Sequence, residues 1–204
     1  MELKRDIEAM VVSSNVAVLG SGAAASKSAA LGAMIYTNAQ HGAGGSTPAH
    51  TSGAATVAPT AGTGRAFTEA LLKAGVQATY TSSGKVPPAV YLSPAHKTVF
   101  SGFAGIAVNR YQVQNGKQGR IIGGADVYMS DFGEMEIVPH YIMAGSTNVY
   151  GLNPQYGSIA YLRGFMSSPL AKTGDSTKEQ VLVDATLQLD AENVHFKVAD
   201  LTGG

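Results

Sequence analysis

The sequence predicts an α+β fold, with helices in the amino-terminal half and mostly antiparallel strands in the carboxyl-terminal half. Apolar residues recur at helical spacing early in the chain, whereas apolar and polar residues alternate near its end. This order of patterns is typical of α+β domains. The 204 residues suffice for one domain, or for two small ones, with a hydrophobic core.

The composition favours self-association over several other functions. Fourteen basic residues balance fourteen acidic ones, and charged residues make up 14% of the chain. A neutral chain lacks the basic surface that nucleic acid binding needs, and its copies repel one another little. There is no cysteine, which excludes disulfides and thiolate metal sites, and no apolar run has the length of a membrane-spanning helix.

A helix is predicted over residues 2–19. Its apolar stripe comprises Leu3, Ile7, Met10, Val11 and Val18. A second apolar flank, on the opposite side, comprises Val12, Val16 and Leu19. A helix that is apolar on two sides needs packing partners on both, either a core or a neighbouring chain. A short second helix is predicted over residues 23–33.

Residues 38–64 are predicted to form a long loop. The segment is rich in Gly, Ala, Ser and Thr, and it has too few large apolar groups for a core of its own. Loops of this length are uncommon and are usually functional or flexible. We expect contacts with other chains to order it.

Regular structure is predicted to resume after Arg65. The apolar spacing in this region indicates a helix, and Gly75 is its predicted end. A short strand, Ala89–Leu92, precedes a further helix that Ser93 caps, with Pro94 at the first helical position.

Strand pairs are predicted in the rest of the chain. Asn115 and Gly116 form a typical hairpin turn, and Asp131–Gly133 is the predicted turn of a second hairpin. The clearest alternation of apolar and polar residues lies in residues 181–189 and 194–198. We expect these two strands to pair antiparallel, with one buried face and one solvated face.

Asp131, Phe132 and Gly133 also match the magnesium-binding tripeptide of protein kinases. A kinase further needs a glycine-rich loop, a strand lysine and a His-Arg-Asp loop, and the sequence contains none of these. The tripeptide is therefore interpreted as a turn. Glu134 and Glu136 lie two residues apart on the following strand, which favours an exposed strand face over a catalytic carboxylate pair.

No motif predicts catalysis, a cofactor or a metal site. The five histidines are His41, His50, His96, His140 and His195. They lack the spacing of zinc ligands, and the sequence has no Gly-x-Ser-x-Gly nucleophile motif. We expect His195 to lie on a solvated strand face. The group of Tyr150, Tyr156 and Tyr161 favours a core or interface role, and binding of a glycan stays open as an alternative.

Four stretches of the chain resemble, in their order, the major capsid proteins of a tailed-bacteriophage family typified by an elongated-head podovirus. The most specific parts are the hairpin sequence SDFG-x-x-EIVP and the segment PLAKTGDS-x-K, which two alternating strands follow. The four stretches are Glu2–Glu8, Asp126–Pro139, Asn148–Phe165 and Pro169–Leu201.

The resemblance implies the Hong Kong-type capsid fold. This fold has a peripheral domain, with a long spine helix and a β-sheet, and an axial domain around the symmetry axes of the shell. It places Glu2–Leu19 in the spine helix. It also implies a peripheral domain made of residues 1–60 and the return strands 175–204, and an axial domain made of residues 61–174.

The resemblance further implies a structural, non-enzymatic subunit without cofactors. Copies of it would form hexamers and pentamers in the icosahedral or elongated head, after assembly in the host cytoplasm. Portal, scaffold or decoration proteins stay open as further partners, and neither sequence-specific nucleic acid binding nor a membrane is implied. The expected subunit-contact residues are Arg5, Val12, Val16, Leu19, Asp131, Phe132 and Gly133.

Members of the family carry an amino-terminal arm and an extended loop before the spine helix. We expect both to be missing here, because the sequence starts inside that helix. The expected consequence is a monomer or small oligomer whose flank of Val12, Val16 and Leu19 is exposed or lies in a contact. A phage or cell-surface module that binds a glycan or receptor is the alternative hypothesis, and a small serine hydrolase is a third.

Overall fold

The computed structural model describes residues 2–23, 25–51, 53–103, 111–112, 120–121, 126–171 and 174–204. Helices, a mixed six-stranded sheet and three two-stranded sheets make up the regular structure of this part of the chain, so the predicted α+β class is confirmed. The helices are α1 (Glu2–Val12), α2 (Leu31–Met34), α3 (Glu69–Ser83) and α4 (Pro94–Ser101). The strands are β1 (Ala39–Gln40), β2 (Ala49–Thr51), β3 (Ala54–Val57), β4 (Ala89–Leu92), β5 (Tyr111–Gln112), β6 (Arg120–Ile121), β7 (Val127–Ser130), β8 (Gly133–Pro139), β9 (Val149–Leu152), β10 (Gly157–Pro169), β11 (Glu179–Leu189) and β12 (Phe196–Val198).

The main sheet has the strand order β1-β12-β9-β4-β8-β7. Strand β12 pairs parallel with β1 on one side and antiparallel with β9 on the other. Strand β4 is antiparallel to β9 and parallel to β8. The last strand of the chain therefore lies inside the sheet, where it joins β1, from the first quarter of the sequence, to β9, from the second half.

Apolar side chains cover both faces of this sheet. On one face, α3 and α4 pack over a cluster that includes Leu72, Val76, Val90, Phe100, Met135, Ile137, Val149, Phe196 and Val198. On the other face, α1 and α2 pack with the end of β11 over Leu31, Ile35, Met143 and Tyr150. Residues from both faces of the central strands are thus buried.

The ring of Phe196 sits between two glycines. A Cβ atom at Gly151, its partner on β9, would lie 2.0 Å from the ring, and one at Gly75 on α3 would lie 2.8 Å from it. The prediction that Gly75 ends the helix is wrong, because α3 continues to Ser83 and ends at Gly84, whose φ is 69°. Gly75 instead lets the helix approach the sheet closely.

The long strands β10 and β11 form a two-stranded antiparallel ribbon, from the pair Gly157–Leu189 to the pair Pro169–Glu179. The predicted pairing of residues 181–189 with 194–198 is therefore wrong. Alternation of apolar and polar residues identifies a strand but not its partner. A 3-10 turn at Glu192–Val194 separates β11 from β12, and β12 then enters the main sheet.

The predicted helix over residues 2–19 is too long. Helix α1 ends at Val12, and the hydroxyl of Ser13 donates a hydrogen bond to the carbonyl of Met10. Serine and asparagine side chains compete for backbone groups in this way and disfavour helix continuation. The second predicted helix, over residues 23–33, is also wrong in extent, because α2 has four residues and begins at Leu31.

The prediction that residues 38–64 form a long loop ordered by other chains is wrong. Strands β2 and β3 form a hairpin there, and Ser46 bridges to Thr60. The amide of Ala17 donates a hydrogen bond to the carbonyl of Ala55, whose side chain is buried. Backbone hydrogen bonds within the chain thus order a segment that has few large apolar groups.

Other local predictions are confirmed. Strand β4 has the predicted bounds, and the Ser93 hydroxyl accepts a hydrogen bond from the amide of His96 at the start of α4. The hairpin of β7 and β8 turns at Asp131 and Phe132. The predicted turn at residues 115–116 lies outside the described residues, although β5 and β6 on either side of it pair antiparallel.

No helix in the described ranges is long and apolar enough to cross a membrane.

The packing of Phe196 against Gly151 predicts a large effect of a small substitution. Gly151→Ala is expected to lower the free energy of unfolding by about 1–3 kcal/mol, because the added methyl group overlaps the ring. The measurement is urea unfolding followed by circular dichroism. Gly164→Ala is the control, since a Cβ atom at this strand glycine meets no atom within 4 Å. Equal effects of both substitutions would contradict the packing.

Candidate assembly surfaces

Helix α1 presents one face to the protein and one to solvent. Its predicted stripe is confirmed for Leu3, Ile7, Met10 and Val11, which are half-buried while the charged residues are exposed. It is wrong for Val18, which lies beyond the end of α1 and is exposed. Arg5 lies on the exposed side, and its guanidinium carbon is 5.9 Å from the centre of the Tyr141 ring. A guanidinium over an aromatic ring is attracted by the electrons of the ring face. Arg5 and Tyr141 are thus both exposed and contact each other on the outer side of α1.

The second apolar flank does not form one surface. Val12 is half-buried and packs in the cluster around Tyr150, and Val16 is half-buried against a cluster of small side chains that includes Ala33 and Ala55. Leu19 is 95% exposed. The expectation of a continuous exposed flank is wrong for Val12 and Val16, because α1 ends at Val12 and the chain then changes direction.

The largest group of exposed apolar side chains lies on the ribbon of β10 and β11. We define the outer ribbon as residues 161–170 of the first strand and its extension, together with residues 179–182 of the second. Its exposed large apolar side chains are Tyr161, Leu162, Phe165, Met166, Leu170 and Val181. Patches of this kind in proteins commonly mark interaction sites.

The outer ribbon also has unpaired backbone edges. Within the described residues no third strand pairs with β10 or β11. An isolated two-stranded ribbon is marginally stable in water, and its free edges can pair with other chains. An ion pair between Arg163 and Asp184 joins the two strands. On one side, Leu3 of α1 lines an open groove together with Phe165 and Val181.

The tip of the hairpin between β7 and β8 is a second exposed feature. Asp131 is exposed, and Phe132 is 39% exposed and stacks on Tyr80 with 4.9 Å between ring centres. Gly133 has a φ of 151°, a conformation that favours glycine. The structure therefore supports the interpretation of this tripeptide as a turn. Glu134 and Glu136 point to solvent from β8, as predicted for an exposed strand face.

His195 lies in the interior, so the prediction that it is solvated is wrong. It is 1% exposed, and its Nδ1 atom accepts a hydrogen bond of 3.1 Å from the amide of Asn153. Burial lowers the pKa of His195 to about 4. The prediction failed because it assumed a strand with one solvated face, whereas β12 is buried on both faces.

Two other histidines have structural partners. The Nδ1 atom of His41 lies 3.2 Å from the Asp200 carboxylate. His96 is buried beside the Ser93 hydroxyl, at 3.0 Å. Burial lowers the pKa of both His41 and His96. The Ser93–His96 pair lies at the start of α4, where neither side chain is accessible to a substrate.

The three tyrosines do not share a surface. Tyr150 is fully buried, and burial raises its pKa to about 12. Tyr156 contacts Lys85, and Tyr161 is half-exposed on the outer ribbon. A glycan site formed by all three is therefore not supported. Within the described ranges, no group of three or more metal-ligating side chains is close enough to hold a metal ion.

Exposed apolar side chains and free strand edges together are typical of a subunit that associates with other protein chains. The model of the SU10 major capsid protein family matches residues 1–202. The chain therefore belongs to this family: it is a bacteriophage major capsid protein, a structural component of the virion that self-assembles into a shell. No curated protein matches the chain.

Substitution of Val16 and Leu19 tests whether the first is packed and the second is exposed. Val16→Ser is expected to lower the free energy of unfolding by about 1–2 kcal/mol, because it removes a half-buried apolar side chain from its cluster. Leu19→Ser is expected to change it by less than about 0.5 kcal/mol. Thermal and urea unfolding of both variants measure this. A larger effect at Leu19 than at Val16 would contradict the described packing.

Proposed function

We propose that the outer ribbon is the principal contact between neighbouring subunits of the shell. The single observation that supports it most strongly is the coincidence of six exposed large apolar side chains with two unpaired strand edges. A neighbouring subunit that covers the ribbon would remove the apolar area from water and satisfy the free backbone groups. Because each subunit makes such contacts with several copies, individually weak contacts suffice for a stable shell.

Hexamers and pentamers are proposed as the rings of the shell. In this proposal the hairpin tip at Asp131–Gly133 lies towards the ring axis and supplies contacts between adjacent subunits. The exposed stack of Phe132 on Tyr80 supports it, because rigid, partly exposed aromatic groups are typical of contact surfaces. Arg5, on the exposed side of α1, and Leu19, beyond its end, are proposed as further contacts.

The division into residues 1–60, 61–174 and 175–204 stays a prediction, and we propose one refinement of it. The pairing of β12 with β9 supports placing residues 190–204 with the main sheet in the axial domain. The pairing of β10 with β11 supports placing residues 157–189 with α1 in the peripheral domain. The Hong Kong-type fold likewise stays a prediction for this chain.

We further propose that the subunit acts without catalysis and assembles in the host cytoplasm. The structural roles of Ser93, His96 and His195 support the first part, since the groups most suited to catalysis are buried in capping and strand contacts. Portal, scaffold and decoration proteins are proposed as further partners on the basis of the family alone.

Substitution of Val181 tests the outer ribbon. Val181→Ser is expected to raise the protein concentration needed for association at least about tenfold, because a central apolar contact is lost. The measurements are sedimentation velocity over a concentration series and electron microscopy of the products. The free energy of unfolding of the dissociated subunit serves as a check on folding.

Val57→Ser is the matched control. Val57 is 54% exposed on the short hairpin of β2 and β3, and Val181 is 52% exposed on the ribbon. Both substitutions remove the same apolar surface and the same strand preference. Equal effects of the two variants on association would refute the role of the ribbon.

A further inference from the structure

Buried and half-buried basic residues surround the carboxyl-terminal segment, which we define as residues 195–202. His195 and Lys197 belong to it, and His41, His96 and Arg65 contact it from other elements. The Asp200 carboxylate is the acidic group within the segment, and it accepts hydrogen bonds from His41 and from the amide of Gly42. The carboxyl-terminal segment, which supplies β12 to the main sheet, thus lies in an environment that disfavours additional positive charge.

The hydrogen bonding of His195 allows the neutral ring only. Its Nδ1 atom accepts from the amide of Asn153, so the proton of the neutral ring is on Nε2. Protonation would place a second N–H group directly opposite the Asn153 amide, and the hydrogen bond would be lost. The Nε2 atom is buried without a hydrogen-bond partner, so it offers the charged ring no compensation.

His96 lacks this conflict. Its Nδ1 atom faces the Ser93 hydroxyl, and its Nε2 atom lies 3.3 Å from the carbonyl of Thr202. A hydroxyl and a carbonyl can both accept from a protonated ring, so its hydrogen bonds survive protonation. Of these two histidines, His195 is therefore the one whose protonation is less compatible with the folded sheet.

We propose that the neutral ring of His195 holds the carboxyl-terminal segment in the main sheet and that protonation of this ring releases it. Protonation of the His195 ring in mild acid breaks the bond to Asn153 and releases β12 from between β1 and β9, which opens the main sheet. The proposal concerns the subunit itself and does not depend on which surfaces meet in the shell.

The direction of the pH dependence follows from the pKa values. Burial lowers the pKa of His195 to about 4, and the charge of Glu192 on the preceding turn opposes this only in part. The unfolded chain has a histidine pKa near 6.5, so it takes up the proton first as the pH falls. The stabilisation from neutral His195 is complete above about pH 6.5 and is lost progressively towards pH 4.

The other titratable groups near the segment also change the stability of the protein with pH. Burial and the charge of Lys197 lower the pKa of His41, with Arg65 acting in the same direction and Asp200 against it. His41 therefore adds to the loss of stability in the same pH range, and so does His96, because burial lowers the pKa of His96 as well. Burial lowers the pKa of Lys197 to about 8, so its effect is complete before the acid range begins. The pKa of Asp200 is lowered, so its carboxylate stays charged over that range.

The test is His195→Asn in the full chain. The Oδ1 atom of asparagine can accept the hydrogen bond from Asn153 in place of Nδ1, and it does not titrate. The folding equilibrium constant of the wild-type protein, from urea unfolding, is expected to fall at least about tenfold between pH 7 and pH 5. In His195→Asn this decrease is expected to be several-fold smaller. Amide hydrogen exchange should show earlier loss of protection in residues 196–199 than in β4.

His50→Asn is the control, because the Nε2 atom of His50 faces the carbonyl of Ala33, which a protonated ring also satisfies. It is expected to keep the full pH dependence. If His195→Asn retains the wild-type dependence, or if β4 loses protection before residues 196–199, the proposal is wrong. If the variant does not fold, the pKa of His195 is measured by NMR in the wild-type protein: a value below 5 supports the proposal, and a value of 5 or above overturns it.

Discussion

The main sheet holds together because β12 is inserted between β1 and β9. Phe196 fills one face of the sheet through the space left by Gly75 and Gly151. Lys197 lies on the other face, where its Nζ atom donates a hydrogen bond of 2.7 Å to the carbonyl of Gly32. A shift of this strand by one residue would exchange the ring and the amine between the two faces, so the register is strongly specified.

This insertion also explains the exposed ribbon. The chain leaves the main sheet after β9 and must return to it as β12, and β10 and β11 are the excursion between them. Strands β1 and β9 already occupy both edges of β12. The excursion therefore pairs with itself, and its outer apolar side chains stay exposed on the subunit. The position of one short strand thus determines which apolar surface the subunit exposes.

The sequence predicted elements whose signals are local. The cap at Ser93, strand β4 and the turn after β7 depend on residues close together in the chain, and the structure confirms them. The partner of β11 and the burial of His195 depend on contacts between distant segments, which alternation of residue types does not encode. The end of α1 was missed because apolar residues beyond Val12 continued the helical spacing by coincidence, although Ser13 and the polar residues after it were a usable signal. The family was evident from the combination of four stretches, but the outer ribbon needed the observed register.

In the proposed shell, neighbouring subunits cover the outer ribbon while the main sheet keeps its strand order. A near-atomic electron cryomicroscopy reconstruction of the assembled shell would show both features. We expect Phe165 and Met166 to be buried against an adjacent subunit and β12 to stay between β1 and β9. A shell in which these two side chains remain in solvent, with subunit contacts made elsewhere, would contradict this expectation.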